Sequence, residues 1–497
     1  MSRGNEIPIA PAIFVKRVEG SPSAPTFSTF STFSGSLSLE LARDYTFAMH
    51  RSVFSGMRLL SLLVAVLGST PGAPPPEHQP PPTPTIFDPD PNHLWNRTYA
   101  CVFIRQTAEG RQYGADTLDP LLWQQTRYLL TGESHQRALR CLDEFLRAHA
   151  EHLVADPLKH AILQHDLWAV FDWAAAGEDF PRQRRDLEVR LAAAIYSLAI
   201  SLEQANGLPD TYADAIASRQ FATAYDTRDP QQPFLPPDLF QPGGPWVCVS
   251  SQREEPTAIV HFSGRSRFLV FLRLPGGHAE TLGYVRNLRS SHQPPLLVGD
   301  SGLLNLALPQ FPAGTHVALV RQAILIDKQG HLVATRLTES VQLRVYHAVT
   351  PGSKYINYIG GPSSHDQDFF EFRMRRAELF TREGNSLAAI SPTDTEFATF
   401  STHGIDAFES AAPLPPQGVI LKRCQGCHSD SGIHSVQSRM QWLKSPDTSA
   451  KQSADAPDDP IAWETRVTLE RKQHRPDFTL LHAFWTSGAS VNTPGKF

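Results

Sequence analysis

The sequence predicts an α+β, multi-domain chain: a helical bundle, then an antiparallel strand-rich domain, then a small α-helical segment. Three observations predict it. Apolar residues recur at spacings of three and four between about 93 and 222. Short β-branched and aromatic runs bounded by turn residues follow between about 235 and 390. The chain has 497 residues, long enough for roughly two to four domains with cores of their own, and helical spacing returns between about 400 and 497.

The amino end reads as address rather than structure. Residues 1–56 contain the low-complexity stretch Thr26-Phe27-Ser28-Thr29-Phe30-Ser31-Thr32-Phe33-Ser34 and lack sustained periodicity, so they form a disordered leader or an over-extended start. Met57-Arg58, then the apolar run Leu59 to Leu67, then Gly68, has the basic, apolar and small-residue order of a secretory signal peptide over 57–70, with Met57 as the natural start. The run is too short to span a bilayer, and the protein is expected not to be an integral membrane protein. An internal apolar helix is the alternative. The prolines of residues 71–92, from Pro71 to Pro91, then make an extended linker.

In the helical part, Tyr99 to Ile104 is expected to be a strand. Asp119-Pro120 opens a helix through Leu129, Ser134 one through Leu146, and Asp156-Pro157 a third ending at Gly177. A fourth carries Leu187, Leu191, Ile195, Leu198 and Leu202 and ends at Asn206-Gly207. His149, His152, His160 and His165 lack the spacing of a metalloprotease helix, so exposed or capping roles are expected. Trp123, Trp168 and Trp173 read as core.

In the strand-rich part, Trp246 to Val249, Ala258 to Phe262, Arg267 to Leu272, Val341 to Tyr346 and Phe369 to Phe372 read as strands, with a helix over Ala279 to Leu288. Val317 to Ile326, the turn Asp327-Lys328-Gln329-Gly330 and Leu332 to Thr335 read as a hairpin. Gly299-Asp300-Ser301-Gly302 resembles the nucleophile segment of chymotrypsin-like proteases for four residues only. With no histidine placed to activate Ser301, a plain turn is expected, and no catalytic residue is assigned. His365-Asp366-Gln367-Asp368 reads as a solvated acidic loop rather than a cation site.

The most specific signal is Cys424-Gln425-Gly426-Cys427-His428, two thiols with an imidazole directly after the second, the pattern that attaches c-type haem. Cys424 and Cys427 are the expected thioether tethers of one covalent haem c, and His428 the proximal iron ligand. A CxxC disulfide or half of a zinc site are the alternatives; a zinc site needs four ligands, and no second CxxC or HxxxH lies nearby. Of Cys101, Cys141 and Cys248, at most one pair can form a disulfide, and spacing does not choose it.

The motif and the apolar lead-in Gly418 to Cys424 resemble the attachment segment of bacterial c-type cytochromes, over about the last eighty residues. The whole is similar to large secreted bacterial proteins ending in a single such motif. The resemblance implies haem attachment outside the cytoplasm, hence a periplasmic or secreted protein, in keeping with the signal peptide. Departures are plain: Ser431-Gly432-Ile433-His434-Ser435 stands where small cytochromes c continue Gly-Pro-x-Leu, and Met440 is the only later methionine. Met440 and His434 lead as sixth-ligand candidates, with His403, His474 and His482 competing; Phe478 to Trp485 is expected to cover the haem face.

The function so implied is an exported c-type haem protein that transfers single electrons or serves as the redox arm of an assembly, partnered by a redox protein or small electron carrier. The alternative is a non-redox secreted binding or structural protein whose CxxC is a disulfide. A di-haem peroxidase would need a second CxxCH, which the sequence lacks. With a net charge of −5 and no basic run, no nucleic-acid partner is expected.

Overall fold

The computed structural model describes residues 83–106, 112–114, 128–250, 255–258, 261, 264–290, 306–347, 349, 366–381, 386–396, 418–428, 430–437 and 459–487. The expectations for the leader, the signal peptide, residues 71–82, most of the helix at 119–129, the Gly299 turn, His403 and Met440 fall outside them.

The helical layer opens with α1 (Leu94–Phe103), followed by the short pair β1 (Arg105–Gln106) and β2 (Gln112–Tyr113). The stretch expected as a strand from Tyr99 is therefore helical. His93 caps it by accepting from the Trp95 N–H, and Trp95, Tyr99, Val102 and Phe103, spaced three and four apart, are buried along one face. Phe87, in the presumed linker, is buried against Trp95 and Tyr99 at ring separations of 5.6 Å. Next come α2 (Gly132–Arg147), α3 (Pro157–Ala176), α4 (Pro181–Ser197), α5 (Leu202–Asn206) and α6 (Thr211–Ala217). Asp156 caps α3 through the Leu158 N–H, with Pro157 at its first position. Cys101 and Cys141 form a disulfide that staples α1 to α2.

The sheet comprises β3 (Val247–Val249), β4 (Ser266–Arg273), β5 (His316–Ile326), β6 (Leu332–Tyr346), β7 (Gln367–Met374) and β8 (Leu387–Ala389), each antiparallel to the next in chain order. The helix α7 (His278–Ser290) lies between β4 and β5, and α8 (Arg376–Thr381) between β7 and β8. The hairpin at 327–330 is as expected: Asp327 Oδ1 accepts from Gln329 N at 2.9 Å and His331 N at 2.8 Å. The two strands expected at 332–335 and 341–346 are one strand, irregular in register beside Gln322. Ala258 lies in a turn instead of the expected strand, with His261 N donating to its carbonyl.

The pleat sends alternate residues to opposite faces. Leu269, Phe271, Val341, Leu343, Phe370 and Phe372 join the cluster formed with α3 and α4. The segments read as successive helical and strand-rich domains thus contribute to one hydrophobic cluster. Phe268, Val270, Leu272 and Tyr346 join a second cluster with Val285 and Leu288 of α7 and with Ile433 and Val436.

The carboxyl part adds β9 (Thr395–Glu396) paired with β10 (Gly418–Val419), then α9 (Ile420–Cys427), α10 (His434–Gln437), α11 (Pro460–Gln473) and α12 (Pro476–Thr486). Residues 478–485 do not cover the motif. Phe478 packs on Trp168 at 6.2 Å, Phe484 on Phe171 at 6.3 Å and Trp485 on Tyr196 at 4.4 Å, within the helical layer. Buried ion pairs lock this closure: Lys472 Nζ lies 3.0 Å from Asp172 and 3.2 Å from Asp477, and Arg265 lies 2.7 Å from Asp172. Arg376 of α8 reaches Asp166 of α3 at 2.6 Å.

Among the described residues no helix is long and apolar enough to cross a membrane.

Candidate functional site

The motif sits on α9, a two-turn helix whose Ile420 and Leu421 are buried. Its end is set by His428, whose N–H donates to the carbonyls of Cys424 and Gln425 at 3.1 Å each. Cys424 is half-buried and faces the sheet. Its thiol donates to Glu371 Oε2 at 3.1 Å and receives Gln342 Nε2 at 3.5 Å. Glu371 and Gln342 are cross-strand partners on β7 and β6, so they share the sheet face opposite the helical layer. Cys427 closes α9; its side chain is not among those described.

His428 is buried, 6 % exposed. Its Nδ1 lies 2.8 Å from the Ser435 carbonyl oxygen. A carbonyl only accepts, so Nδ1 carries the proton and Nε2 is the nitrogen with a lone pair to offer. That division is the one a metal-ligating histidine adopts, its second nitrogen fixed by a backbone carbonyl.

The turn after the motif is held tightly. Arg344 donates to the Tyr346 hydroxyl at 3.0 Å and to Ser435 Oγ and carbonyl at 3.2 and 3.3 Å. Gln310 Oε1 accepts from Ile433 N at 2.6 Å. Gly432 has φ +51°, and a Cβ there would stand 2.1 Å from Gln310 Oε1, so this close approach requires glycine. The segment read as a solvated acidic loop helps to dock the motif: Asp366 accepts from Ser431 Oγ at 2.7 Å and Gln367 Nε2 donates to the His428 carbonyl at 2.7 Å. Asp368 instead pairs with His347 at 2.8 Å and accepts from the Tyr225 hydroxyl.

Of the sixth-ligand candidates, His434 opens α10 and is buried in this same turn. His474 is exposed, its Nδ1 on the Glu470 carbonyl at 2.7 Å, and His482 stacks on Phe478 at 6.2 Å in the helical layer. Neither is brought to the motif by these contacts. A histidine that the sequence reading passed over is brought there. The ring of His261 lies 6.0 Å from that of His428, the planes 13° apart, and it also lies 5.7 Å from the Phe268 ring of β4. Embedded in an apolar run, His261 carries no local signal that distinguishes it from a strand residue.

The remaining histidines divide. His149 and His152 are exposed, as expected. His165 is neither exposed nor a cap: it is buried 3.4 Å from Glu339, and burial lowers its pKa to about 4 against the pull of that carboxylate. Burial likewise lowers His316 to about 4. Cys248 and Cys424 are thiols, and the disulfide left open by spacing is Cys101–Cys141.

The residues present fit a haem c. Cys424 and Cys427 lie one turn apart on one helix, His428 follows with Nε2 as its donor atom, and the apolar side chains of Phe268, Val270, Ile433 and Val436 line the same face of the sheet. Two buried amide oxygens beside the motif, Gln342 Oε1 and Gln367 Oε1, meet no donor among the described residues. Among the described residues no three His, Cys, Asp or Glu side chains converge to hold a metal ion. A cavity of about 700 Å³ lined by Asp210, Phe240, Arg267, Gln322 and Thr335 does not include the motif.

Comparison with protein-family models, with curated proteins and with solved structures found no match to this chain.

Proposed function

We propose that this protein is an exported carrier of one covalent haem c that transfers single electrons to or from a redox partner. The observation that carries the reading is the His428 ring, placed directly after Cys427 with Nδ1 tied to the Ser435 carbonyl at 2.8 Å. Cys424 and Cys427 would hold the group by two thioethers and His428 Nε2 would hold its iron; when bound, the group supplies reversible one-electron chemistry.

The chain's own residues do the positioning. The Ser435 carbonyl fixes the tautomer and plane of His428, and Arg344 with Tyr346 fixes Ser435. Gln367 pins the His428 backbone. Glu371 keeps its Arg373 partner at 2.8 Å when the Cys424 proton is lost to a thioether, so the buried carboxylate is not stranded.

Export is supported by the Cys101–Cys141 disulfide, since such bonds persist in oxidising compartments, and by the basic-apolar-small run at 57–70. The test is expression in a host with c-type maturation machinery, followed by a pyridine haemochrome spectrum and haem staining on a denaturing gel. One c-type haem per chain is expected, with staining abolished in the Cys424→Ala, Cys427→Ala double variant. A colourless product from a competent host, or full staining of that variant, refutes the proposal.

A further inference from the structure

We infer that His261 is the second axial ligand of the iron, opposite His428, an inference that rests on the haem reading and adds to it a residue outside the motif. A porphyrin supplies four nitrogens, so the protein owes the iron only two atoms, and a pair of histidines suffices where a bare metal would demand a larger cluster. For two imidazoles on opposite sides of one metal, each metal–nitrogen bond is about 2.0–2.1 Å, and each ring centre lies about 1.2 Å beyond its nitrogen. Coaxial ring centres then stand about 6.4 Å apart.

The His261 and His428 ring centres are 6.0 Å apart with planes 13° from parallel. The pair is stacked, and its centre-to-centre separation is within about half an ångström of that spacing. On one side the tautomer is set by the Ser435 carbonyl, leaving Nε2 as the donor. On the other, His261 is backed by the Phe268 ring, centres 5.7 Å apart and planes at 29°, with Val270 and Leu272 of the same face in the second apolar cluster and the Arg321 guanidinium over the Phe268 ring at 5.8 Å. An apolar wall behind a ligand limits water at the iron. Among the other described candidates, His474 is turned to a backbone carbonyl at the surface and His482 lies in the helical layer, while His434 is buried in the turn that follows His428 on the same chain segment. The consequences are a closed iron, which disfavours small-ligand chemistry, and a potential below that of a His–Met cytochrome.

The test uses the haem-loaded protein and its His261→Ala and His261→Met variants, read by covalent haem staining, electron paramagnetic resonance, magnetic circular dichroism and midpoint potential. Wild type should be low-spin with two imidazole ligands. His261→Ala should keep its covalent haem but lose the low-spin signal, which added imidazole restores. His261→Met should gain the methionine–iron charge-transfer band and a higher potential. Covalent haem with an unchanged low-spin bis-imidazole signal in His261→Ala overturns the inference, as does a wild type with methionine or open ligation; the haem reading then survives. Absence of covalent haem in wild type overturns both. If His261→Ala does not accumulate, the wild-type spectrum and His261→Met decide.

Discussion

At the scale of single residues, the site depends on groups that hold other groups. Arg344 is buried and donates to Tyr346 and twice to Ser435, which in turn orients His428. Arg344→Met removes one of the donors to each of two Ser435 oxygens, leaving His428 on the carbonyl and Tyr346 on the hydroxyl, and should cost about 1–3 kcal/mol. Urea denaturation measures the cost, and hydrogen exchange should show protection lost first at residues 430–436.

Two histidines, His165 buried and His316 half-buried, set an acid limit. His165 and His316 are held near 4, against about 6.5 for an unfolded imidazole. Between those values the unfolded chain binds more protons, so their stabilisation is present above pH 6.5 and is lost as pH falls toward 4. Asp166 acts oppositely. Burial pushes its carboxyl up to about 6 against the pull of Arg376, so the folded form binds the extra proton between about 4 and 6. His316 packs among Tyr225, Phe234 and Trp246, so phenylalanine suits the space. His316→Phe should therefore lose less stability than wild type between pH 7 and pH 5, by up to about 2 kcal/mol. Urea titrations of both proteins at the two pH values measure this; equal losses would refute it.

At the scale of elements, α1 and α2 are joined by a disulfide that closes a loop of 40 residues. Loop-closure entropy predicts that Cys101→Ala with Cys141→Ala costs about 4 kcal/mol. A shift below about 1 kcal/mol in chemical denaturation would show that packing of α1 on α2 suffices. The turn between α9 and α10 has no such staple and relies on Gly432, where positive φ and the nearby Gln310 exclude a side chain. Gly432→Ala should displace Gln310 from Ile433 and destabilise by about 1–3 kcal/mol, measured by urea denaturation.

At the scale of the molecule, the carboxyl helices are part of the core. Lys472 is buried between Asp172 of α3 and Asp477 of α12, with its ammonium 5.0 Å from the Trp168 ring centre. Truncating it strands Asp477 beside Arg475 alone and Asp172 beside Arg265 alone. Lys472→Ala should cost about 3–5 kcal/mol, whereas a surface change such as Arg466→Ala, in an exposed pair with Glu470, should cost under about 0.5 kcal/mol. Because helical and strand-rich segments share one hydrophobic cluster, fluorescence and circular dichroism should report the same unfolding midpoint.

The sequence by itself determined the features that act within a few residues: the Asp156-Pro157 helix start, the hairpin at 327–330, and the CxxCH pattern on a short helix. Capping, turn geometry and side-chain period are local interactions, so they are written locally. The error at Tyr99 arose where β-branched and aromatic content outweighed a three-and-four spacing that was present. Tertiary structure alone decided that Cys101 pairs with Cys141, that α12 packs on α3 and α4, and that polar residues of β6 and β7 receive the motif. It alone decided that His261 meets His428. These contacts join residues far apart in the chain, and their partners are selected by which apolar faces must be buried together, a condition that no short window of sequence contains.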